Sequence, residues 1–222
     1  MAAMRLETQV RREQIAESVL IMIGDKGLKG LSVAAVARRI GLVPSALYRH
    51  FRNKEQMLDT ALDLIGSRLV ENVEAAGRDA KDRPLECLRL LLMRHVALIR
   101  ENQGIQRIVF SEDVYSRHPE RRSKVYGMIR AYLDRIAGIV RRGQDLGELR
   151  CDIDPQTVAM MFLGLVQPAA IVWQMSDGGF DVTKHAEKAW RIFSESIRVP
   201  SETASRASGR GGTGRAKKGV SG

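Results

Sequence analysis

The chain has 222 residues, of which 44% are hydrophobic and 28% are charged, and its formal net charge is +10. This composition is typical of a globular protein and argues against a disordered chain. No uninterrupted apolar run approaches the roughly 18 residues of a membrane span, and residues 1–10 lack the apolar stretch of a secretory signal. We therefore expect a cytoplasmic protein without a membrane partner.

Several classes of chemistry lack their usual motifs in this sequence. Cys87 and Cys151 are far apart in the chain, and the four histidines do not have the spacing of zinc ligands. Neither a G-x-S-x-G turn nor a phosphate-binding glycine loop is present. The sequence therefore predicts no disulfide, no metal site, no cofactor and no enzymatic activity.

The positive charge is concentrated at the two ends of the chain. Residues 1–54 contain ten Lys or Arg and four Asp or Glu, residues 55–199 contain 21 of each sign, and residues 200–222 contain five basic residues and one acidic residue. Phosphate neutralisation supplies most non-specific affinity for nucleic acid, so this distribution favours a DNA-binding head on a neutral body. A basic surface can also serve solubility alone.

Apolar residues at helical spacing predict an all-α fold of about nine helices. The first helix contains Ile15 and Ile23, the second follows the N-cap Ser32, and the third begins at Pro44. Asn53 and Gln56 have the spacing of a capping box at the start of a long fourth helix, which we expect to end near residue 77.

The second half of the chain predicts further helices with clear start and stop signals. Pro84 begins an apolar helix that Gly104 is expected to break, and a short apolar piece over residues 105–115 follows. A long helix with apolar residues from Val125 to Val140 then ends at Leu146-Gly147. Asp154 caps the next helix, which contains Pro168 and is expected to be kinked there, and a last helix ends before residue 200.

These elements divide the chain into four parts. We expect a flexible N-terminal arm over residues 1–9 and a three-helix DNA-binding domain over residues 10–56. A helical domain for dimerisation and ligand binding follows over residues 57–199. Residues 200–222 are rich in Ser, Gly, Arg and Lys, and this basic tail has too few apolar residues to offset the entropy of ordering.

Residues 31–58 carry the functional signal. Two short helices around a turn containing Gly41, followed by a capped long helix, have the construction of a helix-turn-helix. The order of residues in this segment resembles the DNA-binding domain of the TetR family of bacterial regulators. The resemblance rests on Ser32, Val36-Ala37, Ile40-Gly41, Leu47-Tyr48, His50-Phe51 and Lys54-Glu55-Gln56-Met57-Leu58.

The resemblance implies DNA contacts for residues of the third helix and the turn after it. Tyr48, His50 and Lys54 match positions that hold backbone phosphates. The residues expected to face base edges are Pro44, Ser45, Ala46 and Arg49. Of these, only Arg49 is able to make a bidentate contact with guanine.

Some DNA contacts stay open at this stage. Val43 occupies the cap position where the family usually places Ser or Thr, so the phosphate contact expected there is in doubt. The alternative interpretation of Tyr48 is a half-buried packing residue that does not contact phosphate. Phosphate contact and solvated surface charge are equally good interpretations of four further arginines, namely Arg11, Arg12, Arg38 and Arg39.

The resemblance also implies a dimer formed through the last two long helices and a ligand between the middle ones. The proposed interface residues are large and apolar: Val158, Phe162, Leu165, Val166, Trp173, Trp190, Phe193 and Ile197. The alternative is that these residues form the core of the single chain and not a dimer interface. The proposed pocket residues combine apolar and polar groups: Met93, His95, Ile108, Phe110, Tyr115, Tyr126, Met128, Tyr132 and Gln167.

The sequence thus predicts a repressor that binds a near-palindromic DNA operator as a homodimer and is released by a small hydrophobic or amphipathic effector. The alternative is an architectural or division-linked DNA-binding protein that uses the same head without a ligand.

Overall fold

The computed structural model describes residues 2–200, with the side chains of residues 2–9 and of Tyr115 outside the description. Within this part the chain forms nine α-helices, as predicted, and the only β pairing is a single bridge between Leu149 and Arg198. The helices are α1 (Ala2–Lys26), α2 (Val33–Arg39), α3 (Pro44–Leu47), α4 (Lys54–Ala80), α5 (Pro84–Glu101), α6 (Gly104–Val109), α7 (Pro119–Asp145), α8 (Pro155–Met175) and α9 (Val182–Ile197). The predicted tail lies outside the described residues from 201 onward, and the predicted arm lies where side chains are not described.

Local capping chemistry fixes the ends of the head helices. The Ser32 hydroxyl accepts a hydrogen bond from the Ala35 backbone N–H at 3.2 Å, and the Asn53 side chain accepts one from the Gln56 N–H at 3.0 Å. Gly41 adopts a φ of +70°, the left-handed conformation that a residue without Cβ adopts readily. The predicted caps and the turn between α2 and α3 are therefore present.

Two boundaries in the body differ from the prediction. Helix α4 continues through Gly77 to Ala80, because one helical glycine costs only about 1 kcal/mol and α4 is held by packing on both sides. Gly104 does not act as a breaker: α5 ends at Glu101, and Gly104 is the first residue of α6. The expected division at residue 56 falls inside α4, which packs on α1 as well as on α5 and α7.

Helix α8 is the most apolar element of the chain. Over its 21 residues it has no charged side chain, and by length and composition alone it is able to cross a membrane. The polar residues Gln156, Thr157, Gln167 and Gln174 interrupt its apolar residues, which is why the sequence shows no continuous apolar run of this length. A core helix passes the same test, and one side of α8 is buried against α7 and α9 through Val158, Phe162 and Val166. Pro168 lies inside α8, which continues to Met175.

Candidate nucleic-acid interface and ligand cavity

Helix α3 presents its predicted base-contacting residues at the surface. Pro44, Ser45 and Arg49 are exposed and Ala46 is half-buried, whereas Leu47 on the opposite side is buried. Pro44 occupies the first turn, and Val43 before it makes no side-chain cap. The helical turn continues past α3 through the hydrogen bond from the Phe51 N–H to the Leu47 carbonyl at 3.0 Å, so Arg49 is held by a defined backbone.

The predicted phosphate-binding residues lie at the C-terminal end of the same surface. Tyr48 is 56% exposed, and His50 is half-buried. Lys54 has a second role that its position in the sequence does not reveal: its Nζ donates to the backbone carbonyl of Leu28 at 2.8 Å. Lys54 therefore ties the start of α4 to the connection between α1 and α2.

The four arginines left open by the sequence have different surroundings. Arg12 lies over the Phe51 ring, with its guanidinium carbon 5.4 Å from the ring centroid, which is a cation–π geometry. Arg11 donates to Gln14 at 3.0 Å, and Arg39 forms a 3.4 Å ion pair with Asp25. Arg38 is exposed. Their DNA contacts stay a prediction.

A cavity of about 410 Å³ lies in the body, lined by Phe110 and by residues of α4, α5, α6, α7 and α8. Five of the nine predicted pocket residues line it: His95, Phe110, Met128, Tyr132 and Gln167. The lining residues that the sequence interpretation missed are apolar apart from one glutamine: Ile65, Leu69, Leu98, Ile99, Ile105, Gln106, Val109, Ile129, Leu163, Pro168 and Ile171.

The other four predicted pocket residues have different positions. Ile108 is buried in the core, Met93 is half-buried away from the cavity, and Tyr126 is 61% exposed on α7. Tyr115 lies outside the residues whose side chains are described. Helical periodicity identifies apolar positions but does not say which of them face an internal space, and this is why Ile108 and Met93 were included.

Two polar pairs face the cavity. His95 Nδ1 and Tyr132 Oη are 3.0 Å apart in a hydrogen bond, and burial lowers the pKa of His95 to about 4. The imidazole is therefore neutral at pH 7. Gln106 Nε2 donates to Gln167 Oε1 at 3.2 Å. Gln106 Oε1 is buried and has no hydrogen-bond partner among the described residues.

Helix α6 forms part of the cavity wall and also packs on α1 of the head. The approach is so close that a Cβ on Gly104 would lie 2.0 Å from the Leu20 carbonyl oxygen. Helix α6 is thus in contact with the cavity and, backbone to backbone, with α1.

Arg121 makes a second connection between body and head. Its side chain is 3% exposed and donates to Asp59 at 2.8 Å, to Asp113 at 2.6 Å and to the Glu55 carboxylate. Glu55 and Asp59 lie in the first turns of α4, whereas Asp113 begins a short π-helix, Asp113–Arg117, that precedes α7. Potential metal-ligand atoms of Glu55, Asp113 and His118 lie within 4.8 Å of one another, but Arg121 already pairs with both carboxylates of this group.

Comparison with known proteins assigns both halves of the chain. Residues 20–61 match the family described as bacterial regulatory proteins, tetR family, and residues 81–197 match the tetracyclin repressor-like C-terminal domain. The second match alone covers more than half of the chain. The chain belongs to the TetR family. It is accordingly a DNA-binding transcription regulator with a helix-turn-helix head, as the resemblance implied.

Relatives of this TetR-family regulator differ in function. A fatty acid metabolism regulator protein of Bacillus subtilis is 24% identical over 76% of this chain and 86% of its own length. The nucleoid occlusion factor SlmA of Vibrio vulnificus is 24% identical over 85% of this chain and 96% of its own. The crystal structure of FadR from Bacillus subtilis with stearoyl-CoA shares the fold, with a TM-score of 0.69, 22% identity and coverage of 83% and 98%.

Regulators of the TetR family act as dimers, and the single chain has an apolar surface without a partner. Six predicted interface residues are instead buried in the chain's own core: Val158, Phe162, Val166, Trp190, Phe193 and Ile197. Leu165 and Trp173 are half-buried. A side chain with almost no accessible surface has little area to offer a partner, so this burial favours the alternative of a monomer core for these six.

The exposed face of α8 and α9 carries other large apolar residues that the sequence interpretation missed. They are Met160, Met161, Ile171, Val172 and Met175 on α8 and Ile192 on α9. Met160 and Ile171, like Met161 and Val172, are about three turns apart and so lie on the same side of α8. Gly164 between them has nothing within 4 Å of an added Cβ. Exposed apolar residues grouped on one helix face are typical of interaction surfaces.

Proposed function

We propose that this regulator is a transcriptional repressor that binds a near-palindromic operator as a homodimer and releases it when a small hydrophobic or amphipathic effector enters the α4–α8 cavity. The observation that carries the proposal is the shared helix α6. Ile105, Gln106 and Val109 of α6 line the cavity, while Gly104 at its first turn contacts α1 of the head.

The cavity is suited to such a ligand in size and in chemistry. Its volume of about 410 Å³ lies within the roughly 300–1,000 Å³ of small-molecule sites. Its lining is mostly aliphatic, with a small number of polar groups that are able to orient a ligand. An effector that fits only when α6 has moved shifts the population toward a head position that no longer matches two successive major grooves.

The proposed dimer uses the exposed apolar face of α8 and α9 in place of the buried residues named from the sequence. Two copies joined by this face present two α3 helices to one duplex. A twofold arrangement of heads requires half-sites related by a twofold axis, which is why a near-palindromic operator is expected. Such a protein works on chromosomal DNA, in the cytoplasm.

An experiment on DNA tests this proposal. Selection of bound duplexes from a random pool should recover paired half-sites at a fixed spacing, and apolar compounds that raise the Tm of the protein should weaken binding to the recovered duplex. Recovery of unpaired or degenerate sequences would contradict the dimeric operator. A set of stabilising compounds that leaves operator affinity unchanged would contradict the effector.

The similarity to SlmA of Vibrio vulnificus over 85% of the chain favours a second candidate, a division-linked DNA-binding protein. Footprinting over long DNA separates the two functions. A repressor protects one or a few palindromes, and its protection is removed by the effector. A protein of the second kind spreads along the DNA, and its coverage does not respond to compounds that bind the cavity.

A further inference from the structure

The inference below rests on the proposed function and concerns the chemical class of the effector. The α4–α8 cavity has no Lys, Arg, Asp or Glu in its lining. Its one imidazole belongs to His95, which is 5% exposed and bonded to Tyr132. An ionised group placed inside this cavity would lose its hydration without gaining a counter-charge, which is very costly in an apolar environment.

Gln106 supplies the second observation. Its residue is 6% exposed, its Nε2 is used by Gln167, and its Oε1 is buried without a partner in the described part of the chain. Buried amide oxygens nearly always accept a hydrogen bond, because an unsatisfied one keeps the full cost of its lost hydration. Gln106 lines the cavity, so a donor group of a ligand bound there is a candidate partner for this oxygen.

The His95–Tyr132 pair does not take this role. The two side chains satisfy each other at 3.0 Å, with their rings in an edge-on arrangement and the centroids 5.3 Å apart. Their bond fixes α5 to α7 on one side of the cavity. Gln106 and Gln167 connect α6 to α8, so the unpaired oxygen lies on the helix that also contacts α1 of the head.

We propose that the effector is an electrically neutral, mainly apolar molecule with one O–H or N–H group that donates a hydrogen bond to Gln106 Oε1. A hydroxyl at the end or edge of a hydrocarbon body has this chemistry. A carboxylate lacks the donor and brings a charge, and an ether of the same size brings only an acceptor. Donation to Gln106 places the ligand's polar group against α6. Because α6 also packs on α1, a ligand bound there is able to change the position of α1.

Three probes of similar size separate these possibilities on the operator-free, full-length protein. Decan-1-ol has an O–H donor, its isomer 1-methoxynonane has the same atoms without the donor, and decanoate is ionised at pH 7.5. Calorimetry gives Kd for each. We expect decan-1-ol to bind at least about tenfold more tightly than 1-methoxynonane, a ratio that corresponds to about 1.4 kcal/mol, and decanoate to bind most weakly.

Two variants locate the donor contact. Gln106→Met keeps a side chain of similar length but removes the amide oxygen, so the preference for decan-1-ol over 1-methoxynonane should fall to within about twofold. The matched control Gln103→Met changes an exposed glutamine three residues earlier, outside the cavity lining, and should keep the preference. The comparison of probes on the unmodified protein decides the inference even when Gln106→Met does not fold.

Equal affinity for the alcohol and the ether, tighter binding of the ether or of decanoate, or no binding of any probe would overturn this inference. A preference that survives in Gln106→Met would also overturn it. The same protein preparation is tested on the selected operator duplex with a panel of unrelated apolar compounds. If some of these release the operator while the probes show no donor preference, the donor rule fails and the proposed function stands.

Discussion

Gly104 at the start of α6 lies against Leu20 of α1 with no space for a side chain, since a Cβ at this position would be 2.0 Å from the Leu20 carbonyl oxygen. Gly24 of α1 also lies close to Gly104 of α6, since a Cβ added to Gly24 would be 3.2 Å from the Gly104 backbone nitrogen. The two glycines allow the cavity wall and the DNA-binding head to meet backbone to backbone. A ligand-driven shift of α6 has a direct mechanical route to α1 here.

The first prediction follows from this contact. Gly104→Ala should lower the free energy of unfolding by about 1–3 kcal/mol, as overpacking does, and should weaken operator binding because α6 and α1 must separate. Gly127→Ala on α7 is the matched control, since nothing lies within 4 Å of its added Cβ. The control should be neutral or more stable by up to about 1 kcal/mol. Equal denaturant midpoints for the two variants would contradict the prediction.

A second prediction concerns Arg121. Arg121→Met leaves the carboxylates of Asp59 and Asp113 without their cation, and we expect a loss of about 1.5–3 kcal/mol in unfolding free energy, the range for hydrogen bonds to charged groups. Arg130→Met, an exposed arginine on the same helix, should change stability by less than about 0.5 kcal/mol.

A double-mutant cycle tests whether Arg121 and Asp113 act as a pair. The combination of Arg121→Met with Asp113→Asn should cost less than the sum of the two single changes, because the second removes a carboxylate that the first has left unpaired. Strict additivity of the two free energies would show that the contact contributes nothing of its own.

The third prediction is a pH dependence that comes from His95. Burial lowers the pKa of His95 to about 4, so between about pH 6.5 and pH 4 the unfolded chain binds a proton that the native chain does not. Stability from this group is complete above pH 6.5 and falls as the pH drops toward 4, by about 3 kcal/mol over the window.

Urea unfolding at pH 7 and at pH 4.5 measures this effect. His95→Gln removes the titrating group and should flatten the pH dependence, whereas His185→Gln, on the exposed side of α9, should retain it. The prediction fails if all three proteins lose the same free energy between the two pH values.

The fourth prediction concerns the subunit interface. Ile192→Asp places a charge on the exposed face of α9, where Ile192 is 74% exposed in the single chain, so the single chain should fold normally while the dimer dissociates. Sedimentation equilibrium should give a mass near 24.7 kDa for this variant and twice that value for the unmodified protein. Ile21→Asp, an exposed change on α1, should leave the dimer intact. A dimer that persists in Ile192→Asp would place the interface elsewhere.

The parts of this molecule that the sequence predicts are those set by local chemistry. Ser32 and Asn53 cap their helices in the structure, and the side chains that face the core in α1 and α2 follow from helical spacing. Gly104 shows the limit of local rules. A glycine after an apolar helix is typical of a helix end, but the packing of α6 on α1 determines its role.

The interface residues show the same limit at a finer scale. Phe162 is buried and Met161, one residue earlier, is 52% exposed, because neighbouring positions on a helix point about 100° apart. The composition of α8 shows that most of its residues are apolar. It does not show which side of the helix packs against the core of the single chain. The cavity residues on α4 and α6 were missed for a related reason, since facing an internal space is a property of five helices together.

We propose that α3 enters the major groove of an operator and that Arg49 reads a base there. Fluorescence anisotropy at one low salt concentration tests this proposal on the selected operator and on a scrambled duplex. The proteins compared are the unmodified protein, Arg49→Ala, Lys54→Ala and the control Arg78→Ala, near the far end of α4. We predict that Arg49→Ala weakens operator binding by about 1–3 kcal/mol and reduces the preference over the scrambled duplex. Lys54→Ala should weaken both duplexes alike, and Arg78→Ala should match the unmodified protein. Binding to no duplex, or unchanged binding in both Arg49→Ala and Lys54→Ala, would contradict the account.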